Sequence, residues 1–344
     1  MLVLGVGGNV SQGILKALAL ARRELRVVAA CVSHLSAGLY TVERAFLSPF
    51  AEDPDFLDWL LGVCEEEGVV AVLSGVEPVL QALAANADLI RARTGAVPLV
   101  SEPATLATGA DKLATASWLE SNGLSAPRSV ASGDREAALR LASEVGFPLV
   151  AKPRRGKRAR GVIDVDDESD LAYALSRRQY VVQERLPGPE FTVACFSDRA
   201  GAVRGSFVMR RELSEGTTLS AEVGDFPAVR EYAERVAERL RPLGPSNVQI
   251  RLRDGEPVCH EINVRFSGTA PIRARLGFND VEATVLHHAL GEDARDLPSI
   301  TEGVALRYWN EIYVEPAAVR RLEHDRRLDE PRRHSFAESF AVRP

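Results

Sequence analysis

The chain has 344 residues, 46% of them hydrophobic and 26% charged, and a formal net charge of -6. This composition excludes a disordered or fibrous chain, and the length is enough for two or three packed units. The negative balance argues against a general polyanion-binding surface, so nucleic acid is not an expected partner.

The first hundred residues alternate strand and helix. "MLVLGV" is followed by an apolar helix face at Ile14, Leu15 and Leu18, then "RVVAACV", a helix around "FLDWLLGVC", "VVAVLS", a helix after Pro78 and "VPLV". The pattern is that of a doubly wound parallel sheet, giving a Rossmann-like unit over 1–101. At the first strand-to-helix junction stands "GVGGNVSQG", but a G-x-G-x-x-G fingerprint would need glycine where Val10 stands. The second strand ends in Cys31, Val32 and Ser33, without the acidic residue that holds a ribose, so a tight turn is expected there in place of a nicotinamide site. Cys31, Cys64, Cys195 and Cys259 are scattered without a C-x-x-C pair, which favours neither a zinc cluster nor a disulfide framework. With no leader-like start and no apolar run of bilayer length, the expectation is a cytoplasmic protein without a membrane partner.

A linking helix region follows over 102–126, with Asp111 near the start of the helix and Gly123 at its end. Residues 127–185 then read as a small α+β lid: the helix "DREAALRLASEVG", the strand "PLVAKP", a basic loop, the strand "VIDV", the helix "DESDLAYALS" and the strand "YVVQE". A second α+β unit over 186–300 begins with "FTVACFS" and includes the helix "REYAERVAERL" and the hairpin "NVQIRLRDGEPVCHEINVRF". The extension over 301–344 has one apolar run, "ALRYWNEIYV", before a charged tail that reads as solvated surface.

Two places carry chemistry. The basic loop lies between two strands of a folded unit, which fits a phosphate cover better than a nucleic-acid tail. The chain has no G-x-x-x-x-G-K-[ST] loop. Lys152, with backbone N–H groups around Gly156 and Gly161, could hold phosphates instead, and the loop's arginines would add charge-assisted bonds.

The hairpin is the second place. Alternation puts Cys259, Glu261, Asn263 and Arg265 on one face and Val258, His260, Ile262 and Val264 on the other. A three-residue turn at Arg253, Asp254 and Gly255 would set Gln249 opposite Cys259 and on the Glu261 face. A two-residue Asp254–Gly255 turn would pair Gln249 with His260 and separate the polar groups. In the first case Gln249, Glu261 and Asn263 present hard oxygen donors of the kind Mg²⁺ takes. His260 is expected to point away and pack.

The order of these motifs resembles the ATP-grasp superfamily, in the branch of carbamoyl-phosphate synthetase, biotin carboxylase and amino-acid ligase domains, over roughly residues 1 to 295. The resemblance implies a pre-ATP-grasp domain followed by an ATP-grasp fold of two α+β subdomains. It implies that Lys112 of "ADK" and Lys152 of "AKP" reach the phosphates of ATP, and that "RRGKRARGV", with Gly156, Arg160 and Gly161, is the lid loop. "VVQERLPGPEFTV" would be the hinge, with Gln183, Glu184, Arg185 and Leu186 near adenine and Glu190 at the ribose. Gln249, Glu261 and Asn263 would hold Mg²⁺ (or Mn²⁺), and Arg265 would join Lys152 in stabilising the transferred phosphoryl group. The chain departs from many relatives at Lys157, Arg158 and Ala159, where glycine or serine is common, and at Gln249, where an acid is common.

The activity this implies is ATP-dependent ligation of a small-molecule carboxylate to an amine through an acyl-phosphate. The acceptor would sit beside "RFSGTAPIRAR", with Ser267 and Gly268 before a helix and Arg273 pairing a carboxylate; Arg210, Arg211 and Glu222 would form another wall. A homodimer is left open. Alternatives are a bicarbonate- or carbamate-activating enzyme and a non-catalytic nucleotide-binding protein.

Overall fold

A computed structural model describes residues 1–156, 160–308 and 310–329. Three sheets organise the described residues. The first is built from β1 (Leu2–Leu4), α1 (Asn9–Ala19), β2 (Val28–Cys31), β3 (Arg44–Leu47), α2 (Phe56–Glu67), β4 (Ala71–Ser74), α3 (Glu77–Ala85), α4 (Ala87–Thr94) and β5 (Val97–Pro98). Its strand order places β3, β2, β1, β4 and β5 side by side, all parallel. Strands buried on both faces read as continuous apolar runs, which is why "LVL" and "VAAC" are wholly buried. The short strand β3, "RAFL", falls outside the expected pattern.

The linking region is two helices, α5 (Pro103–Ala110) and α6 (Lys112–Ser121), broken at Asp111. Asp111 adopts an extended backbone and its carboxylate accepts from the N–H groups of Leu113 and Ala114, the geometry of an N-cap. The lid follows: β6 (Ser129–Ala131), α7 (Arg135–Val145), β7 (Leu149–Pro153), β8 (Ile163–Val165), α8 (Glu168–Ser176) and β9 (Tyr180–Glu184). Its antiparallel sheet runs β6-β9-β7-β8 and packs both helices over a small core of its own.

The third sheet contains β10 (Glu190–Ser197), β11 (Val203–Ser214), β12 (Thr217–Val223), α9 (Pro227–Leu240), β13 (Gly244–Arg253) and β14 (Glu256–Asn263). The helices α10 (Ala270–Arg275) and α11 (Asp280–Thr284) come next, then β15 (Gly303–Leu306), α12 (Pro316–Asp325) and β16 (Arg327–Asp329). The sheet order is β14-β13-β10-β11-β12-β15. Side chains alternate: Phe191, Val193, Cys195, Val208, Val248 and Ile250 share a core with α9, whereas Ala194, Phe207 and Met209 pack on the opposite face with Phe278.

The end of the chain corrects the expectation of a solvated tail in part. Ala318 and Leu322 of α12 are buried in the core of the first sheet, and β16 adds to its edge antiparallel to β3. Residues 330–344 lie outside the described residues. Among those described, no helix is long and apolar enough to cross a membrane.

Candidate active site

A cleft of about 360 Å³ opens between the lid sheet and the third sheet. Lys152, at the end of β7, stands on the lid side, with Lys112, Gly156 and Arg160 beside it. Burial drives the Lys152 ammonium down to a pKa of about 8; Glu261 opposes that shift and Lys112 adds to it. Lys152 and Glu261 both line the cleft, and the Glu261 carboxylate favours the charged form of the ammonium.

The lid loop is tied to α6. The Lys112 ammonium donates to the Gly156 carbonyl at 3.4 Å, and the Arg154 guanidinium lies 2.8 Å from the Asp111 carboxylate. Burial works to raise the Asp111 carboxyl, but the Arg154 bond and two backbone N–H bonds hold it below the usual range. Two of the basic residues are thus anchors: Arg154 pairs Asp111 closely and Arg155 reaches it at 3.9 Å. Gly161 takes a φ of +76°, and a Cβ there would sit 2.8 Å from the Tyr180 hydroxyl, so the turn requires glycine. Lys157, Arg158 and Ala159 lie outside the described residues.

Along the connection from β9 to β10, Gln183, Glu184, Arg185, Leu186 and Glu190 all line the cleft. Gln183 is fixed by its amide to the Ser129 hydroxyl, Glu184 by Arg253 at 2.9 Å and Arg185 by Asp164 at 3.1 Å. Glu190 is buried, and both of its oxygens are engaged. Arg211 donates to one at 2.6 Å and Arg251 to the other at 2.8 Å.

The hairpin contains the main structural surprise. Asp254 and Gly255, at φ +53° and +86°, form a two-residue turn between Arg253 and Glu256. That turn pairs Ile250 with Cys259 and would set Gln249 opposite His260. A bulge intervenes: the register shifts between Gln249 and Ile250, and Gln249 pairs with Glu261. Of the two turns left open by the sequence the two-residue one forms, and Gln249 nevertheless stands with Glu261, by way of the bulge. Cys259 is corrected, since it belongs to the apolar core, and His260 lines the cleft where it was expected to point away. Burial first, then the charges of Lys152, Arg251, Arg211 and Lys112, hold the His260 pKa well below the ordinary histidine value.

Asn263 donates its amide to Glu261 at 3.0 Å and pairs with Asn247 across the ladder. Arg265 turns toward α3, 3.5 Å from Glu77, and its guanidinium also donates to the Phe266 carbonyl.

The proposed acceptor wall needs two corrections. Arg273 is almost fully buried and bound at both ends of its fork by Asp280, with further bonds to Ser267 and Thr269, so it is not free to pair a carboxylate. Arg210 and Glu222 pair with each other, each about half exposed, and neither lines the cleft. Arg211, one residue along, faces inward because it shares the side of Met209, while Arg210 shares the side of Val208.

Ser267 is buried against Thr269, and Gly268 abuts Asn9 at the start of α1. The Arg307 guanidinium donates to the Gly268 carbonyl, and burial, then the charge of Arg211, lowers its pKa. Arg251 and His260 line the cleft although motif reading did not single them out as site residues, and Arg211, expected in the acceptor wall, lines it beside them. For Arg211 and Arg251 the signal existed, in their alternation with buried Met209 and with Gln249.

The comparisons with known proteins agree with this architecture. Residues 176–312 match the family described as "ATP-grasp in the biosynthetic pathway with Ter operon", and residues 1–97 match the "PylC-like, N-terminal domain". Over residues 176–312 the chain is therefore similar to an ATP-grasp family. It is 26% identical over 242 residues to the carbamoyl phosphate synthase large chain of Vibrio parahaemolyticus, covering 64% of this chain and 22% of that one. It is 24% identical over 272 residues to the C-terminal section of the same enzyme from Aquifex aeolicus, covering 73% and 49%. The chain thus spans between about a fifth and a half of the length of these curated relatives. Among solved structures, N5-carboxyaminoimidazole synthetase from Staphylococcus aureus, complexed with ADP, superposes with a TM-score of 0.69 at 16% identity, over 89% of this chain and 79% of that one. An L-amino acid ligase from Bacillus licheniformis gives 0.64 at 22% identity, over 84% and 73%. These likenesses establish an ATP-grasp fold.

Proposed function

We propose that the chain is an ATP-dependent ligase that joins a small-molecule carboxylate to an amine and releases ADP and phosphate. The observation that carries this reading is that Lys152 and Glu261 line one cleft, with Gln249 paired directly to Glu261. The adenine end would lie against Leu186 and the phosphates at Lys152, Lys112 and the loop of Gly156, Arg160 and Gly161.

The donor set fits a magnesium or manganese ion shared with phosphate oxygens. Among the described residues no group of three or more His, Cys, Asp or Glu side chains could hold a metal. The proposed ion site has the carboxylate of Glu261, the side-chain amide of Gln249 paired with it and that of Asn263 bonded to it, hard donors that suit an ion completing its shell from a substrate. When bound, that ion would neutralise charge on the transferred phosphoryl group.

The protein's own part is positioning and charge. Lys152 and Lys112 would hold the oxygens of the triphosphate while the substrate carboxylate attacks the γ-phosphorus, forming an acyl-phosphate and ADP. The amine then attacks the acyl carbon and phosphate leaves. The lid would keep water from the acyl-phosphate. Glu190, saturated by Arg211 and Arg251, would act on the ribose side mainly by fixing these guanidiniums. The acceptor carboxylate would enter beside Gly268, where Arg307 extends the positive wall begun by Arg211. Arg265 would reach the reacting phosphoryl group by leaving Glu77, a weak pair at 3.5 Å.

An ADP-release screen of amino acids and small acids, taken singly and in pairs, tests the reading. ADP and orthophosphate appearing only with a carboxylate and amine together support it. AMP with pyrophosphate, or ADP release that depends on bicarbonate alone, would overturn it.

A further inference from the structure

Asp111 makes more bonds than a helix cap needs. One oxygen, Oδ1, caps α6 by accepting from the N–H groups of Leu113 and Ala114. The other, Oδ2, lies 2.8 Å from the Arg154 guanidinium, whose Nε also donates to Oδ1 at 3.1 Å. A serine, threonine or asparagine would cap the helix as well. Only a carboxylate gives an arginine this two-pronged, charge-assisted partner, and this residue is 7% exposed.

The pair joins two packed bodies. Ala116 and Leu119 of α6 share a core with Cys259 and Ile262 of β14, the strand that carries Glu261, whereas β7, which carries Lys152, belongs to the separate core of the lid. Arg154 follows the last residue of β7. Beside the ion pair, the Lys112 N–H donates to the Arg154 carbonyl at 2.9 Å and the Lys112 ammonium to the Gly156 carbonyl. Glu184 and Arg253 tie the lid to the hairpin at the opposite end of the lid strands, since Glu184 pairs with Leu149 and Tyr180 with Pro153. Lys112, Lys152 and Gly156 line the cleft from different elements, while Asp111 and Arg154 do not line it. Groups that share one charged ligand bind it more weakly when their spacing is not fixed beforehand.

We infer that Asp111 is a positioning residue for nucleotide binding: through Arg154 it latches the lid to α6 and holds Lys112, Lys152 and the Gly156 carbonyl turn at the spacing the phosphates require. The inference rests on the nucleotide reading of the cleft.

The test is calorimetric titration of wild type, Asp111→Asn, Arg154→Gln and the double variant with ADP and with inorganic tripolyphosphate. Asparagine keeps an oxygen for the cap, and Arg154→Gln leaves the cap untouched. Each single variant is expected to bind both ligands about tenfold more weakly at a stoichiometry of one per chain, and the double variant no more weakly than either, because all three lose the same contact. Unchanged affinity in either single variant overturns the inference and leaves the nucleotide reading intact. So does tighter binding by Asp111→Asn, which would mean that a freed Arg154 reaches the phosphates itself. Losses that add in the double variant, or that affect ADP alone, overturn it as well. Reduced stoichiometry at unchanged affinity overturns it in favour of a purely structural role. A wild-type protein that binds no ADP overturns both.

Discussion

Gln249 and Glu261 stand directly opposite each other on β13 and β14, although the two-residue turn that joins their strands would by itself oppose Gln249 to His260. The extra residue of the bulge moves the carboxylate into register, and the Asn263 amide then orients it. Glu261→Ala should therefore lower ATP turnover by at least about 100-fold, because charge stabilisation of this kind is worth that much or more. Glu261 is only part-buried, so the melting temperature should stay close to wild type. Turnover and thermal melting measured on the same preparation check both halves; activity close to wild type would remove Glu261 from the proposed ion site.

The Lys152 ammonium gives nucleotide binding a pH signature. Burial brings its pKa from 10.5 to about 8 in the empty protein, and phosphate oxygens would raise it again. Near pH 8, binding of ADP should take up about half a proton, and affinity should fall as pH rises above 8. The same shift acts on folding with the opposite slope. An unfolded lysine keeps its proton up to its ordinary value, so the unfolded chain holds more protons between pH 8 and 10.5. This group therefore makes the empty protein more stable as pH rises through that window. Calorimetry in two buffers of different ionisation enthalpy measures the proton uptake, which Lys152→Met should abolish.

Neighbouring arginines on β11 should behave oppositely. Arg211 is buried in the cleft wall on Glu190, and Arg210 pairs Glu222 at the surface. Arg211→Ala leaves the buried Glu190 with one cation in place of two, and should weaken ADP binding by about tenfold or more. Arg210→Ala removes an exposed ion pair worth no more than about 1 kcal/mol and should leave turnover unchanged. Parallel ADP titrations and rate measurements distinguish the two faces; an equal effect of both substitutions would refute the assignment.

The parts of this site that local chemistry dictates could be read from residue order. The parallel first sheet follows from the apolar runs at Leu2–Leu4, Val28–Cys31 and Ala71–Ser74, and the break before α6 from the capping chemistry of Asp111. The oxygen donors of the hairpin were visible as a polar face. The bulge was not, because an inserted residue leaves no mark on the alternation until the partner strand is known. "DG" is itself the strongest two-residue turn signal, and taking it at face value while keeping Gln249 and Glu261 together would have required one odd residue, which is His260. Arg273 misled for a different reason. An arginine beside a small-residue loop looks like a carboxylate binder, and its buried partner, Asp280, lies beyond the turn at Gly277 and Phe278, where no helical or strand period links the two.

That pair leads to the last prediction. The Arg273 guanidinium and the Asp280 carboxylate are 2.7 Å apart with almost no exposure, and Arg273 also holds the hydroxyls of Ser267 and Thr269. Removing one partner strands the other charge in a dry interior, so Arg273→Met or Asp280→Leu should each destabilise the protein by about 3–5 kcal/mol. Replacing both leaves no orphaned charge, so the double variant should lose much less than the sum. Urea unfolding of the three variants closes the double-mutant cycle. If Arg273 instead bound the acceptor carboxylate, Arg273→Met would raise the KM for that substrate with little loss of stability. A double variant that regains stability but still turns over slowly would show that the pair's contribution to activity is to fix the Ser267–Gly268 loop against α1.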